Sequence, residues 1–210
     1  MLKNYFKIAW RNLWRNKGLS FINIFGLSTG MAFAILIGLW IQYETGYDAF
    51  HKNRDRIALV MKNVMFNNQR STQELTPLPL YYELKNNYPE VESVTRIAWA
   101  GRHSFIAGDN KFAREGLDAD PDFLRMFSFP VLQGDAASAL RDPNSIVLTQ
   151  SLASALFDKE NPIGKIIKLD NQDNFRVTAV IGDVPKNSTL TFDFLIPYEY
   201  EIAPSDFIRN

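Results

Sequence analysis

The sequence predicts an α+β protein with one N-terminal transmembrane helix, followed by a mixed, mostly antiparallel domain with short helices. Three observations support this fold class: a long uncharged stretch, short segments of alternating apolar and polar residues, and connections of hairpin length. Whether the domain forms one body or two lobes stays open at this level. We divide the chain into a basic leader at 1–17, a membrane segment at 18–43 and a domain at 44–210.

The leader has the pattern of an amphipathic helix over residues 2–16, with basic side chains along one side and apolar ones such as Phe6 and Trp10 on the other. A basic helix with aromatic residues suits the headgroup region of a membrane, where anionic lipid attracts it. A solvated leader that only sets topology is the alternative. Gly18 is expected to interrupt the helical pattern. The predicted cytoplasmic basic face comprises Lys3, Lys7, Arg11, Arg15 and Lys17.

The membrane segment is defined by an absence of charge. No ionisable side chain occurs between Lys17 and Glu44, a run of 26 residues. A helix of this length extends about 39 Å, whereas a bilayer core is about 30 Å thick. A cleaved signal peptide is disfavoured, because its apolar region is shorter and ends at small residues. The run therefore predicts a transmembrane helix.

Small residues recur every four positions along this helix and form one flat stripe. In lipid, such a stripe lets another helix approach closely, so packing drives association. The general frequency of glycine in membrane helices is the alternative explanation. We predict that the stripe packs against other membrane helices or a second copy of the chain. Its positions are Gly26, Gly30, Ala34 and Gly38.

Charge is distributed unevenly along the chain. The leader carries five basic residues and no acid, and the remainder carries 18 basic and 23 acidic residues. The positive-inside rule therefore places the N-terminus in the cytoplasm and residues after about 44 outside, in the periplasm of a double-membraned bacterium. Membrane lipid is a predicted partner. Nucleic acid is disfavoured by this location and by the negative outer part.

The domain shows short strands and helices separated by turn residues. The turns are expected at Asn67-Asn68, Gly108-Asp109-Asn110 and Asn161–Gly164. Thr149 or Ser151 is expected to cap the helix that follows. The predicted segments are a strand at 57–66, a hairpin partner at 72–75, a helix at 76–87, a strand or strand pair at 91–107, a strand at 111–117, a helical turn at 120–127, a turn followed by a short buried strand within 142–149, a helix at 152–157, and strands at 166–169, 175–181 and 191–196.

The side chains do not predict catalytic chemistry. His51 and His103 lie far apart in polar contexts and are predicted to be surface residues. Asp118, Asp120 and Asp122 are predicted to form a solvated turn, because they lack the spacing of a calcium loop. The chain has no cysteine and carries no phosphate-loop or nucleophile-elbow motif. The sequence thus predicts no catalytic, cofactor-binding or metal site.

Nine stretches cover nearly the whole chain and follow one another at 9–17, 20–28, 47–51, 55–57, 120–123, 127–130, 144–149, 161–165 and 177–181. Together, and in this order, they resemble permease subunits of the MacB/FtsX-like ABC transporter family. Asp158 departs from the glycine that many relatives carry there, which affects only the local turn. The chain ends soon after its last predicted strand, so we expect it to be a fragment with an incomplete domain.

The resemblance implies a bacterial inner-membrane permease subunit that works with a separate cytoplasmic ABC ATPase. ATP would be bound by that partner, so no cofactor is expected in this chain. The implied work is mechanical: export, lipoprotein release, or signalling to a periplasmic or outer-membrane partner. A singly anchored binding or sensor module is the alternative, and a membrane-anchored hydrolase is a third class.

Overall fold

The computed structural model of the chain describes residues 2–107 and 110–202. The chain divides into two compact units, Met1–Tyr47 and Asp48–Asn210, and we call the second unit the domain. The predicted turn residues Gly108 and Asp109 lie outside the described residues. The helices are α1 (Leu2–Arg15), α2 (Lys17–Thr45), α3 (Pro79–Asn87), α4 (Phe123–Met126), α5 (Gln150–Phe157) and α6 (Tyr198–Ile202), with a short 3₁₀ turn at Arg54–Arg56.

The strands all belong to the domain. They are β1 (Lys62–Phe66), β2 (Gln69–Gln73), β3 (Ile97–Ala107), β4 (Asn110–Ala119), β5 (Val131–Gly134), β6 (Ser145–Thr149), β7 (Ile166–Leu169), β8 (Asp173–Ile181) and β9 (Phe194–Pro197). The predicted fold class, an apolar N-terminal helix before a strand-rich domain with short helices, is confirmed.

The first unit consists of α1 and α2, which meet at Asn16 rather than at Gly18. The break expected at Gly18 was wrong, because a glycine inside a helix costs only about 1 kcal/mol and can be tolerated there. Asn16 instead leaves the helical conformation, with φ −113° and ψ 52°. With 29 residues, α2 is about 43 Å long. Among the described residues, α2 is the helix whose length and composition allow it to cross a membrane.

The hairpin of β1 and β2 forms a separate two-stranded sheet. Its turn residues Asn67 and Asn68 have φ values of 48° and 60°, as a two-residue hairpin turn requires, so the predicted turn is confirmed. The predicted strand at 57–66 begins only at Lys62, which pairs with Gln73. Extending this register would bring Pro77 into the ladder, where it has no N–H to donate.

The other seven strands form one sheet in the order β5-β8-β6-β9-β4-β3-β7, and β7 also pairs with β8. This additional pairing closes six of the strands into a ring. The neighbours β4–β9 and β6–β8 are parallel, and the remaining pairings are antiparallel. The mostly antiparallel sheet is therefore confirmed for the described residues.

Strand β6 is buried on both faces, so all five of its residues lie in the core. Ile146 and Leu148 face a cluster that includes Phe105 and Leu152 of α5. Val147, which points the other way, packs in a second cluster around the aromatic residues after α4. A short strand covered on both sides is apolar throughout, which explains why this strand was recognised from the sequence.

Several segments differ from the predicted ones. Strand β2 spans Gln69–Gln73 rather than 72–75, and α3 begins at Pro79 rather than at 76. Strand β3 begins at Ile97 rather than Val91, because its ladder partner β4 ends at Ala119 before Pro121. Strand β9 begins at Phe194 rather than Thr191. Strand β5, at Val131–Gly134, was not predicted, since four residues are too few to show a clear alternation.

Candidate functional site

The small-residue stripe of α2 is open along its length. A side chain added at Gly26, Gly30 or Gly38 would meet no atom within 4 Å, and Ala34 is exposed. The bulkier neighbour Leu27 is exposed as well. The stripe can therefore accept a helix, and its role in packing stays a prediction.

The basic residues of the leader are exposed along one helix. Those from Lys3 to Arg15 follow one another at one-turn spacing on α1. Lys17 opens α2, and its ammonium lies 4.9 Å from the centroid of the Trp14 ring. Exposed tryptophan beside basic side chains is typical of a membrane interface. The cytoplasmic position of this face stays a prediction.

The chain enters the domain through residues 48–53, which we call the docking segment. Asp48 has a φ of 53°, a left-handed conformation that aspartate adopts more readily than most residues. Its N–H donates to the Asn187 carbonyl oxygen at 2.9 Å. Its carboxylate accepts hydrogen bonds from the N–H and the hydroxyl of Thr189. These bonds fix the start of the domain to the loop before β9.

His51 is the buried centre of the docking segment, with only 5% of its surface exposed. Its ring lies against Phe50, Phe127 and Phe129, with centroid distances of 4.0, 5.2 and 5.1 Å. The N–H of Ser128 donates to Nδ1 at 3.1 Å. The prediction of a surface histidine was wrong, because the rings that cover it come from a distant part of the chain.

This contact sets the protonation state of His51. A backbone N–H can only donate, so the Nδ1 atom facing Ser128 carries no proton. Burial lowers the pKa of His51, and the nearby Asp48 carboxylate opposes this effect only in part. The contact is extended by the Lys52 N–H, which donates to the Ser128 hydroxyl at 3.0 Å. The docking segment thus holds a neutral imidazole.

A buried ion pair stabilises the connection between β4 and α4. The guanidinium of Arg96 donates to both carboxylate oxygens of Asp120 at 2.9 and 2.7 Å, and its backbone N–H donates at 2.7 Å. The ring centroids of Tyr81 and Tyr198 lie 4.1 and 4.3 Å from the guanidinium carbon of Arg96. The predicted solvated turn was wrong for Asp118 and Asp120, which are buried. Arg96 thereby joins α3 to the sheet.

An open groove of about 430 Å³ lies at the carboxyl ends of β6 and β8. Asp183, on its wall, accepts from the Ser151 N–H at 2.9 Å and from the Ser151 hydroxyl at 2.6 Å. The capping predicted for Thr149 or Ser151 was wrong, since Thr149 occupies the cap position without a side-chain hydrogen bond. Asp183 supplies this bond from outside the helix.

A second carboxylate of this groove is Asp193. Burial raises the pKa of Asp193, with Arg114 opposing this rise and Asp183 and Glu115 adding to it. Within residues 2–107 and 110–202, no three histidine, cysteine or acidic side chains come together as metal ligands.

Comparison with known proteins assigns the domain. The model of the MacB-like periplasmic core domain matches residues 20–208. The chain belongs to the MacB-like periplasmic core domain family. Proteins with this domain are components of transporter permeases, and such permeases generally work with ABC ATPases. A comparison with curated proteins finds no significant match.

Solved structures of similar domains include three from bacterial transport proteins. A domain of a protein assigned as a permease from Porphyromonas gingivalis is 26% identical with a TM-score of 0.56, over 63% of this chain and 56% of that one. The periplasmic region of MacB from Actinobacillus actinomycetemcomitans is 20% identical with a TM-score of 0.49, over 60% and 57%. The extracellular domain of the transporter YknZ from Gram-positive bacteria is 16% identical with a TM-score of 0.48, over 63% and 66%. The chain thus spans little more than half of the first two structures.

The docking segment overlaps residues 47–51, one of the stretches that carried the family resemblance. The sequence analysis assigned no role to this stretch. The partners of Asp48 and His51 lie 141 and 77 residues further along the chain. The sequence provides only a weak local signal for Asp48, because an aspartate shortly after a long helix often begins a turn.

Proposed function

We propose that this chain is the N-terminal part of an ABC transporter permease subunit. In this proposal, a separate cytoplasmic ATPase hydrolyses ATP, and the resulting movement of membrane helices displaces the domain outside the membrane. The displacement serves export, lipoprotein release or signalling. The function is mechanical, so the residues that matter are those that transmit force.

The docking segment is the observation that carries this proposal. Only Gly46 and Tyr47 separate α2 from Asp48. From there, the carboxylate of Asp48 is bonded to Thr189, and His51 is bonded to Ser128 inside an aromatic cluster. A displacement arriving through α2 therefore acts on the core of the domain within a few residues, rather than being lost in a flexible linker.

The proposed orientation rests on charge. The basic leader faces the cytoplasm and the acidic remainder lies outside, as the positive-inside rule requires. The absence of cysteine from the sequence allows a direct test with single-cysteine variants in intact cells. Ser71→Cys, on the exposed β2, should react with a membrane-impermeant maleimide, and Asn4→Cys should react only after lysis. The reverse pattern would overturn the orientation.

The proposed partners are an ABC ATPase and other permease helices, which would pack on the stripe of α2. A matched pair of variants tests the stripe. Ala34→Leu adds bulk on the stripe, and Ala32→Leu adds the same bulk about 200° around the helix. Tagged full-length chain is purified from membranes of its native host in mild detergent, and associated ABC ATPase is quantified by mass spectrometry. Gly30→Leu provides a second substitution on the stripe.

We expect Ala34→Leu and Gly30→Leu to reduce recovery of the ATPase and Ala32→Leu to leave it unchanged, because only the stripe needs close approach. Equal recovery with all three variants would contradict the packing role. Recovery of the unmodified chain without any ATPase would contradict the permease proposal and favour a singly anchored binding or sensor module.

A further inference from the structure

The ring of strands closes along the pairing of β3 with β7, which we call the seam. Its register joins Phe105 to Leu169 and Ile106 to Lys168. Beyond these residues, the Asp170 N–H donates to the Ser104 carbonyl oxygen at 2.9 Å. Because few ladder bonds form here, side-chain contacts decide how firmly the ring is closed.

A β-bulge prepares one of these contacts. In the pairing of β3 with β4, Trp99 faces Leu117 and Gly101 faces Gly116, which leaves Ala100 without a partner residue. Gly101 has a φ of +83°, a conformation that favours glycine and permits such a bulge. The carbonyl oxygen of Ala100 lies 2.5 Å from Nε2 of the His103 ring.

The other ring nitrogen of His103 faces the seam. Nδ1 lies 2.5 Å from Oδ2 of Asp170 in the turn between β7 and β8. A carbonyl and a carboxylate can only accept, so each ring nitrogen must carry a proton to bond its partner. A neutral imidazole has a single N–H and can satisfy only one of the two.

We propose that His103 is a proton-operated clasp of the seam. The doubly protonated ring bonds Ala100 and Asp170 together and holds the β7–β8 turn against β3, and loss of one proton releases one of these two bonds. The clasp is closed when the ring carries both protons and is loosened when the ring carries only one.

The charged surroundings of His103 favour the closed state. Arg114 lies opposite His103 in the β4 register, but its guanidinium is directed to Asp193, with Nε 3.7 Å from the carboxylate. The residue beneath the ring is Phe194, which brings no charge. The charge in direct contact is therefore the carboxylate of Asp170.

Further charged groups of the packed elements are Lys168 on β7 and Asp173 on β8. Asp173 accepts from the Tyr200 hydroxyl at 2.8 Å. Burial, together with Asp173, raises the pKa of Tyr200 to about 12, so this hydroxyl does not change charge near neutral pH.

Asp170 is held ionised and in place. Its second oxygen accepts from the Ser104 N–H at 2.8 Å and from the Ser104 hydroxyl at 3.0 Å. Partial burial acts to raise the pKa of Asp170, but the hydrogen bonds from Ser104 and His103 outweigh it and leave the pKa below its usual value. The acceptor side of the clasp thus stays charged while His103 gains or loses its proton.

The clasp is a property of the domain and goes beyond the transport role. Its physiological meaning rests on the proposed orientation. In that orientation the clasp responds to the pH of the medium rather than to that of the buffered cytoplasm. The tests below use the full chain in detergent micelles and do not require an ATPase. If these tests fail, the permease proposal is unaffected. If the permease proposal fails, the clasp is unaffected.

The first test observes the protons directly. The sequence contains two histidines, so ring ¹⁵N resonances of histidine-labelled protein give two sets of signals, assigned with His51→Phe. At about pH 6 we expect both ring nitrogens of His103 to be protonated and Nδ1 of His51 to be unprotonated. A singly protonated His103 at this pH would overturn the proposal.

The second test measures the seam by hydrogen exchange, corrected for the intrinsic rate. Between about pH 6 and pH 8, protection of peptides covering β7 and its turn should fall roughly tenfold, the scale expected for one charged hydrogen bond. Peptides of β6 and α5 serve as an internal reference. His103→Gln replaces two ring nitrogens by a single amide nitrogen, which cannot take both of their positions, and should show the lower protection at both pH values.

Asp170→Asn gives an independent variant if His103→Gln fails to fold. It keeps an acceptor but removes the charge, and should reduce the pH dependence of protection. Arg102→Gln, an exposed charge change on the same strand, should leave it intact. Equal protection of the unmodified seam at both pH values, or an unchanged pH dependence in Asp170→Asn, would overturn the clasp.

Discussion

The docking segment and the seam each contain one histidine, and the two regions make opposite demands on it. His51 is enclosed by aromatic rings and accepts a hydrogen bond from a backbone N–H. His103 is partly exposed and faces two acceptors. The first region is stable only with a neutral ring and the second favours a charged one. The difference shows that the partner atoms, more than exposure alone, decide what a histidine does in this domain.

The largest effect should come from removing the His51 ring. His51→Ala leaves a gap among Phe50, Phe127 and Phe129 and an unpaired Ser128 N–H, so the free energy of unfolding should fall by about 3 kcal/mol. Denaturant unfolding of the full chain in detergent measures it. His51→Phe fills the gap without an acceptor and should cost about 1 kcal/mol. A loss below that figure for His51→Ala would show that the docking segment contributes little.

A smaller effect is expected at the other end of the docking segment. Glycine in Asp48→Gly tolerates the positive φ of this position, but the substitution removes both hydrogen bonds to Thr189. The free energy of unfolding should therefore fall by about 2 kcal/mol. Asp48→Asn keeps one acceptor and tolerates the same conformation, so its cost should stay under about 1 kcal/mol. The same unfolding measurement compares the two. Equal costs would indicate that the carboxylate is not what ties the segment to the loop before β9.

Acid should loosen the docking segment while it tightens the seam. Because the pKa of His51 is lowered by folding, the unfolded chain binds more protons just below about pH 6.5, and stability falls as the pH decreases through this range. Protection of the Ser128 N–H, obtained from exchange between about pH 5 and pH 7.5 and corrected for the intrinsic rate at each pH, measures this effect. The pH dependence of this protection should vanish in His51→Phe; its persistence there would assign the effect to another group.

The smallest effect is expected at the seam itself. Ser104→Ala removes the hydrogen bond from the hydroxyl to Asp170 but leaves the bond from the Ser104 N–H. The free energy of unfolding should therefore fall by only about 0.5–1 kcal/mol. Unfolding of the full chain at about pH 8, where the clasp is open, should show it most clearly. A cost as large as that of His51→Ala would reverse the ranking of the two regions.

Local pattern predicted the elements that depend on neighbours in sequence. The uncharged run gave α2, the apolar run at Ser145–Thr149 gave β6, and Asn67-Asn68 gave a hairpin turn. The burial of His51 depends on aromatic rings more than 70 residues away, which no local period reveals.

The closure of the ring and the bulge at Ala100 are likewise long-range, because they arise from pairing partners rather than from the residues of one strand. The buried pair Arg96–Asp120 was missed for the same reason. A charged residue beside Pro121 resembles an exposed turn until its partner is known. Elements were therefore predictable, and the contacts that join them were not.

The place of β9 in the sheet constrains the order of assembly. β9 is the last strand of the described residues and lies between β6 and β4, so it joins two groups of strands that are synthesised earlier. Until β9 has been synthesised, β6 has an unpaired edge, which is a site for aggregation. Pairing of β6 on both sides therefore waits for a strand that follows it by more than 40 residues in the chain.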